Sequence, residues 1–499
     1  MNSITNRLIK GSAWISASRA IVNILAALST IVLARILSPS DFGLVALGTT
    51  MLALVTSVTD LSLTEALVRH KSPGDSHFNA AWTMNAARGL LICLLFVALA
   101  YPTARFYEED RLPAIMIALG LSVFLSGLTN PRRIMLQRQL VFWQEFVLNV
   151  SQKLAGVIVS VIVAIVYHSY WALVAGVIVT QLTNVAVSYM AMPFRPRITF
   201  KHCRELLSFS IWLTAGQVIN TLNWRFDQLL LGKYLGNAAL GYYTVGSNLA
   251  LLPTREMTAP LTQTIFPGFA QVANDKARLA AAYQRAQAFV TAVALPAGIG
   301  CALIADPLVR LAMGDKWAPA IFIIQALGAV YALQTLGSLV QPLGMAQGQT
   351  RIFFIRNAQL LFLRIPFIIA GMYLGGLKGV VIARILTGVM SIFVNMRLVT
   401  RFTGLKVLDQ VFINVRSLVS VSVMAAGTVV IMEHVHFGQD NVGLIKQIVF
   451  EGAIGMFFYC ATTAVLWHLM KRPKGPETEI FALIGKILGK KAVMRGALS

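Results

Sequence analysis

Charge is scarce in this chain. Only 12% of its 499 residues are Asp, Glu, Lys or Arg, and 57% are hydrophobic; in soluble domains about a quarter of residues are charged. That balance excludes an ordinary water-soluble globule and leaves a polytopic membrane protein. Cysteine is as rare: Cys93, Cys203, Cys301 and Cys460 lie in or beside apolar runs without CxxC spacing, which excludes a disulfide framework and a zinc site. No Gly-rich loop precedes a Lys-Ser/Thr pair, so direct ATP use is not expected. Acidic residues number 20 against 42 basic ones, a net charge of +22. The basic residues gather in short loops between apolar runs. Charge here reports topology, and nucleic acid is not an expected partner.

What the chain does have is a repeat. Trp14 to Val68 falls on Trp212 to Phe266 when shifted by 198 positions, without a gap. Trp14 meets Trp212, Gly43 meets Gly241, Gly48 meets Gly246, and Leu63-Thr64-Glu65 meets Leu261-Thr262-Gln263. Apolar letters coincide cheaply in such a chain, so the tryptophan and glycine matches carry the case. Two shorter echoes agree: Ala100 to Arg105 with Ala305 to Arg310, and Met135 to Gln139 with Met345 to Gln349. Internal repeats of this kind mark transporters built from two related halves.

Apolar runs of membrane-crossing length predict fourteen transmembrane helices, at roughly 11–35, 42–66, 78–101, 112–130, 144–167, 170–192, 207–231, 239–265, 283–305, 318–342, 352–374, 377–397, 411–432 and 444–469. Arg7 and Lys10 ahead of the first run resemble a secretory signal, but the run continues to about Leu37 and reads as a retained span. Even-numbered connections hold the Lys and Arg: Arg69 and Lys71; Arg132, Arg133 and Arg138; Arg195, Arg197, Lys201 and Arg204; Lys276 and Arg278; Arg351 and Arg356; Arg397, Arg401 and Lys406. Odd-numbered connections are neutral to acidic. The expectation is that both termini face the cytoplasm.

Copies six spans apart enter the membrane in the same direction, so the repeat is parallel. The expected organisation is an all-α fold of two parallel six-helix lobes around a central cavity, plus two extra helices: an N-lobe at 1–192, a basic linker at 193–206, a C-lobe at 207–404 and spans thirteen and fourteen at 405–470. In the tail, 471–499, Ile480, Leu483, Ile484, Ile487 and Leu488 share one face, with Lys486, Lys490, Lys491 and Arg495 around it. That pattern predicts an interfacial helix on inner-membrane lipids.

Polar groups inside the spans are the functional candidates, because a charge at mid-membrane costs about 2.5–3.5 kcal/mol on insertion scales unless it has a partner or water. Ser16, Arg19, Asn23 and Thr30 form a stripe in span one. Thr214, Gln217, Thr221 and Gln228 form its counterpart in span seven, joined by Asn220, Trp224 and Asp227. Asn23, Gln217, Asn220 and Trp224 are the expected cavity lining. Arg19, Arg225, Arg255 and Arg364 are the expected anion contacts, and Asp60, Glu65, Asp227 and Glu256 the candidate ion or proton carriers. Pro253 and Pro260 around Arg255-Glu256 kink span eight, as gated cavity helices tolerate. Arg69, Arg310 and Arg356 lie close enough to span ends to snorkel; Arg88, Lys153 and Arg384 fall between the two groups.

Ile9 to Leu47, Arg225 to Pro253 and Thr264 to Val272 resemble Wzx-type polysaccharide exporters of the multidrug/oligosaccharidyl-lipid/polysaccharide (MOP) flippase superfamily. The resemblance implies flipping of an undecaprenyl-pyrophosphate-linked oligosaccharide across the bacterial inner membrane, a cationic central cavity, no catalytic residues and no cofactor, with H+ or Na+ as candidate coupling ions. It also implies polysaccharide polymerase or assembly proteins as candidate partners. Arginine suits a pyrophosphate because its planar fork donates two hydrogen bonds at once. Competing readings are a MATE-like multidrug/cation antiporter, a peptidoglycan-precursor flippase, and a membrane glycan polymerase, ligase or glycosyltransferase. The last class usually carries a large outer loop, and here the longest outer connections are about ten residues. His434 and His436 are expected to be solvated side chains rather than metal ligands.

Overall fold

The computed structural model describes residues 2–59, 63, 67, 73–138, 142–201, 203, 211–471, 475 and 477–478, and among these every regular element is helical. Helices α1 (Asn2–Ile36), α2 (Pro39–Val58), α3 (Asp75–Tyr107), α4 (Leu112–Gly127), α5 (Phe142–Tyr167), α6 (Trp171–Ala191) and α7 (Ile211–Tyr234) come first. They are followed by α8 (Gly236–Gln271), α9 (Lys276–Leu303) and α10 (Ala318–Gln334). The stretch Thr350–Thr403 is continuous except at Gly375 and Gly376, whose backbone is non-helical. It therefore forms two helices, α11 (350–374) and α12 (377–403). Last come α13 (Val407–Met432) and α14 (Asn441–Leu469).

These segments are consistent with the spans placed from the sequence, and shorter helices lie between them at Ile134–Arg138, Ala305–Met313 and Val340–Ala346. By length and composition ten described helices suffice to cross a membrane, the Thr350–Thr403 pair counting once as Arg351–Thr403. The other numbered helices are α4, short but apolar, and α7 and α8. In those two, Arg225, Asp227, Arg255 and Glu256 dilute the apolar run.

Local signals explain the helix ends. In Ser38-Pro39-Ser40-Asp41 the Ser38 Oγ accepts from Asp41 N at 3.2 Å while the Asp41 carboxylate accepts from Ser38 N at 3.0 Å, with proline in the first turn. This reciprocal cap satisfies two donors that a helix start leaves orphaned. The α11–α12 break needs glycine: Gly376 has φ 53° and ψ −132°, a region closed to side chains with a Cβ.

The chain divides into two compact units, 1–244 and 245–499. In the first, α1 packs on α5, α2 on α7, α3 on α4 and α4 on α6. In the second, α9 packs on α10 and α13, α13 on α14, and α10 on the α11–α12 hairpin. Outward-facing apolar residues such as Leu91, Leu94, Phe362 and Phe393 are the surface a bilayer would cover.

Connections of like parity meet. In the first unit Asn130 Nδ2 donates to Ser188 O at 3.2 Å and Met192 O at 2.7 Å, Arg132 pairs with Asp75, and Arg197 N donates to Asn79 Oδ1 at 3.0 Å. These bonds join the second, fourth and sixth connections. The odd connections gather separately: Lys233 Nζ donates to Glu108 Oε1 at 2.8 Å, Asn237 Nδ2 to Glu109 Oε2 at 2.6 Å, and the Arg111 guanidinium lies 5.8 Å from the Tyr170 ring centre. Such sorting is what helices alternating across a slab produce.

Candidate functional site

The first unit contains a cleft of about 360 Å³ between α2, α3 and α7. Helix α7 contributes Gln217, Asn220, Thr221, Trp224 and Arg225, spaced by three and four residues and so carried on one helical face. Opposite it stand Ala53, Thr56 and Ser57 of α2, with Arg88 reaching in from α3.

Both arginines are oriented by named partners. Arg225 donates to Gln228 Oε1 at 2.9 Å, and that oxygen also accepts from Thr50 Oγ1 of α2 at 2.6 Å. Gln228 is buried where α2 and α7 meet and fixes the height at which Arg225 leaves its helix. Arg88 donates through Nη2 to Thr56 O at 2.8 Å and through Nε to Thr59 Oγ1 at 3.2 Å. Thr56 lies in the last turn of α2, where carbonyls lack intrahelical partners and the dipole favours a cation. The described lining thus offers two guanidiniums, three neutral polar side chains of α7 and an indole, and no carboxylate. An arrangement of this kind attracts an anion.

Four expected residues, Gln217, Asn220, Trp224 and Arg225, are brought together here. Asn23 and Arg19 are not in the lining; Asn23 is half-buried and Arg19 exposed on α1. The side chains of Ser16 and Thr214 lie outside the described residues, as do Asp60 and Glu65. Asp227 is 1% exposed and accepts a hydrogen bond from the Tyr243 hydroxyl and one from Gln228 N at 3.0 Å. It is not part of the cleft lining but stands close enough to Arg225 to act on it electrostatically, and its carboxylate is held by Tyr243 at the start of α8.

In the second unit Arg255 is exposed and paired with its neighbour Glu256 at 3.3 Å, and Arg364 is half-buried on α11. Arg310 pairs with Asp306 at 3.0 Å and Asp315 at 2.7 Å, a structural role. Arg356 does not snorkel freely as its place near a span end suggests: its Nε is buried without a hydrogen-bond partner. His434 and His436 are exposed, and no group of three metal-binding side chains occurs among the described residues.

Arg88 is the residue that sequence reasoning underrates. It is the one Asp, Glu, Lys or Arg between Asp75 and Arg105, so the cost of burying a charge singles it out. Glu451 gives the same signal on α14: it is 6% exposed, with Oε1 accepting from Gln447 at 2.8 Å and Oε2 unpartnered.

A family model described as polysaccharide biosynthesis protein matches residues 32–322, more than half of the chain. The chain belongs to this polysaccharide biosynthesis family. Among its relatives, the lipopolysaccharide biosynthesis protein WzxC of Escherichia coli K12 is 26% identical over 407 residues, covering 79% of this chain and 82% of that protein. The succinoglycan biosynthesis transport protein ExoT of Rhizobium meliloti is 23% identical over 430 residues, 86% of this chain and 87% of ExoT. Among solved structures, the lipid II flippase MurJ in an inward closed conformation superposes with TM-score 0.71 at 15% identity, over 92% of this chain and 99% of MurJ. An inward-facing MATE multidrug transporter of the MOP superfamily gives 0.58 at 14% identity, over 75% and 94%. At such identities these two likenesses speak for the fold alone. The expectation of an all-α MOP-type transporter fold therefore holds for this family member.

Proposed function

We propose that this family member flips a lipid-linked oligosaccharide across the membrane during polysaccharide biosynthesis, and that the α2–α3–α7 cleft receives the anionic linkage. The observation that carries this is the pair Arg88 and Arg225 in one polar cleft without a described carboxylate. A pyrophosphate linkage presents acceptor oxygens that arginine forks match. Trp224, 41% exposed, offers a flat apolar face beside those cations, suited to the ring of a sugar. Relatives named for lipopolysaccharide biosynthesis and succinoglycan transport support this reading over an antiporter, as does the charge of the cleft. The protein acts as a transporter and not as an enzyme.

The finer reading places the protein in the bacterial inner membrane with both termini in the cytoplasm, because the even connections are basic. It assigns an undecaprenyl-pyrophosphate carrier, rocking of the two repeats, and H+ or Na+ coupling. It keeps Arg19, Arg255 and Arg364 as further candidate anion contacts. Deleting the gene in its host and analysing surface glycan with inner-leaflet lipid-linked intermediates tests the function. Loss of glycan with accumulation of the intermediate is expected; unchanged glycan and no accumulation would end the proposal.

A further inference from the structure

A second cleft, of about 340 Å³, lies in the other unit at the ends of three helix pairs, and is lined by Asn274, Lys276, Gln347, Gln349, Arg401 and Phe402 among others. These residues come from the eighth, tenth and twelfth connections, which the sequence marks as basic. Lys276 opens α9 and Arg401 closes α12, so the two cations reach the cleft from different helices. Neither forms an ion pair among the described residues. The nearest carboxylate in sequence, Asp275, is turned onto its own helix start, where it accepts from Ala277 N at 3.0 Å and Arg278 N at 3.1 Å.

The rest of the wall is built for the same ligand chemistry. Gly348, at φ 71°, makes a tight turn in which Gln349 N donates to Gly344 O at 3.0 Å. That turn sets Gln347 and Gln349 on either side of it. Gln347 Nε2 donates to Phe402 O at 3.4 Å, which fastens the turn to the end of α12. Gln349 stands before α11 without a side-chain cap, and its carbonyl accepts from Ile352 N at 3.3 Å, so only the N–H groups ahead of Ile352 are left for an acceptor. Below lies a firm apolar floor in which Leu343, Val399 and Phe402 are buried together.

We propose that this cleft is an anion site for a phosphate group, held between Lys276 and Arg401 and oriented by the amides of Gln347 and Gln349. Its position favours a phospholipid headgroup over free phosphate. The cleft sits at helix ends, the depth of a membrane surface, and on the basic side of the chain, which an anionic leaflet attracts. Exposed apolar side chains, Met345 and Ile355, flank the turn in sequence and suit a bilayer rather than water. The site is separate from the α2–α3–α7 cleft and does not depend on what that cleft carries.

The test uses the delipidated full chain in detergent, with native mass spectrometry reading retention of added phosphatidylglycerol, phosphatidylcholine or inorganic phosphate. Each cation near an anionic membrane surface contributes about fivefold in binding. Lys276→Gln and Arg401→Gln should each lower phosphatidylglycerol retention about fivefold, and together about 25-fold. Arg278→Gln, exposed on the same helix but outside the lining, should leave it unchanged. Both substituted side chains are exposed, so folding is preserved, and a thermal melt of each variant verifies that. Preference for phosphatidylglycerol, lost in the double variant, supports the headgroup. Retention of inorganic phosphate with the same loss, and no lipid preference, keeps the phosphate site and replaces the lipid by free phosphate. Equal retention by wild type and double variant, or equal loss in Arg278→Gln, overturns the site.

Discussion

Gly43 and Gly241, equivalent residues of the two repeats, lie against each other. A Cβ on Gly43 would collide with Asn237 O and stand 2.9 Å from Gly241 N; one on Gly241 would collide with Pro39 O and stand 3.1 Å from Gly43 N. Pro39 and Asn237 are themselves equivalent under the 198-residue shift. This reciprocity is the mark of a local two-fold axis passing between the starts of α2 and α8. The next equivalent pair repeats the logic one step outward. Gly48 admits Leu119 and Ile115 of α4 at 3.0 and 3.1 Å from its would-be Cβ, and Gly246 admits Ile323 of α10 at 3.0 Å.

Gly43→Ala and Gly241→Ala should therefore each destabilise the protein by about 1–3 kcal/mol, the usual range for overpacking, because the obstruction is backbone and cannot swing aside. Thermal unfolding of purified protein, read by fluorescence-detected size exclusion, measures this. Wild-type melting of both variants would contradict the crossing.

Arg88→Ala and Arg225→Ala should each lower glycan export about 10- to 100-fold at unchanged membrane abundance. That range corresponds to loss of a hydrogen bond to a charged group, about 1.5–3 kcal/mol. Arg88→Lys should recover only part of it, since lysine keeps the charge without the fork. Export per molecule equal to wild type in both alanine variants would remove the cleft as the anion path.

Asp227 should prove structural. Tyr243→Phe removes a donor from its buried carboxylate, at a cost of about 1–3 kcal/mol, and should lower the melting temperature while export per folded molecule persists. A Tyr243→Phe protein with normal melting and lost coupling would return Asp227 to the ion carriers.

The clamp between the third and seventh connections should weaken in acid. The hydrogen bond from Arg111 holds the Glu109 carboxyl below the usual glutamate range, with burial opposing and Asn237 adding to it. A depressed folded value means that its stabilisation is present above the unfolded pKa of about 4.3 and is lost as pH falls through the lower folded value. Protection of residues 105–112 against hydrogen exchange, taken relative to the intrinsic rate at each pH, should fall below that pH in wild type. In Glu109→Gln the protection should be low and unchanged over the same window; a wild-type protection profile there would dismiss the clamp.

Arg225, Trp224, Asn220 and Gln217 are legible as one polar face because a helix repeats every 3.6 residues, and that period is written in the sequence. The same rule groups Asp227 with them by proximity, although its side chain leaves the helix toward Tyr243. Arg88 is visible as an isolated charge in an apolar run, but nothing local says which helix it meets.

The amino-acid order alone determined the membrane class, the all-α character and the sorting of basic from acidic connections, because hydropathy and charge are properties read along the chain. Tertiary structure decided that Arg88 crosses to the end of α2, that Gly43 rests on Gly241, and that Lys276 and Arg401 share a cleft. Those outcomes depend on the register between helices far apart in sequence, which periodicity leaves open until the backbones pack.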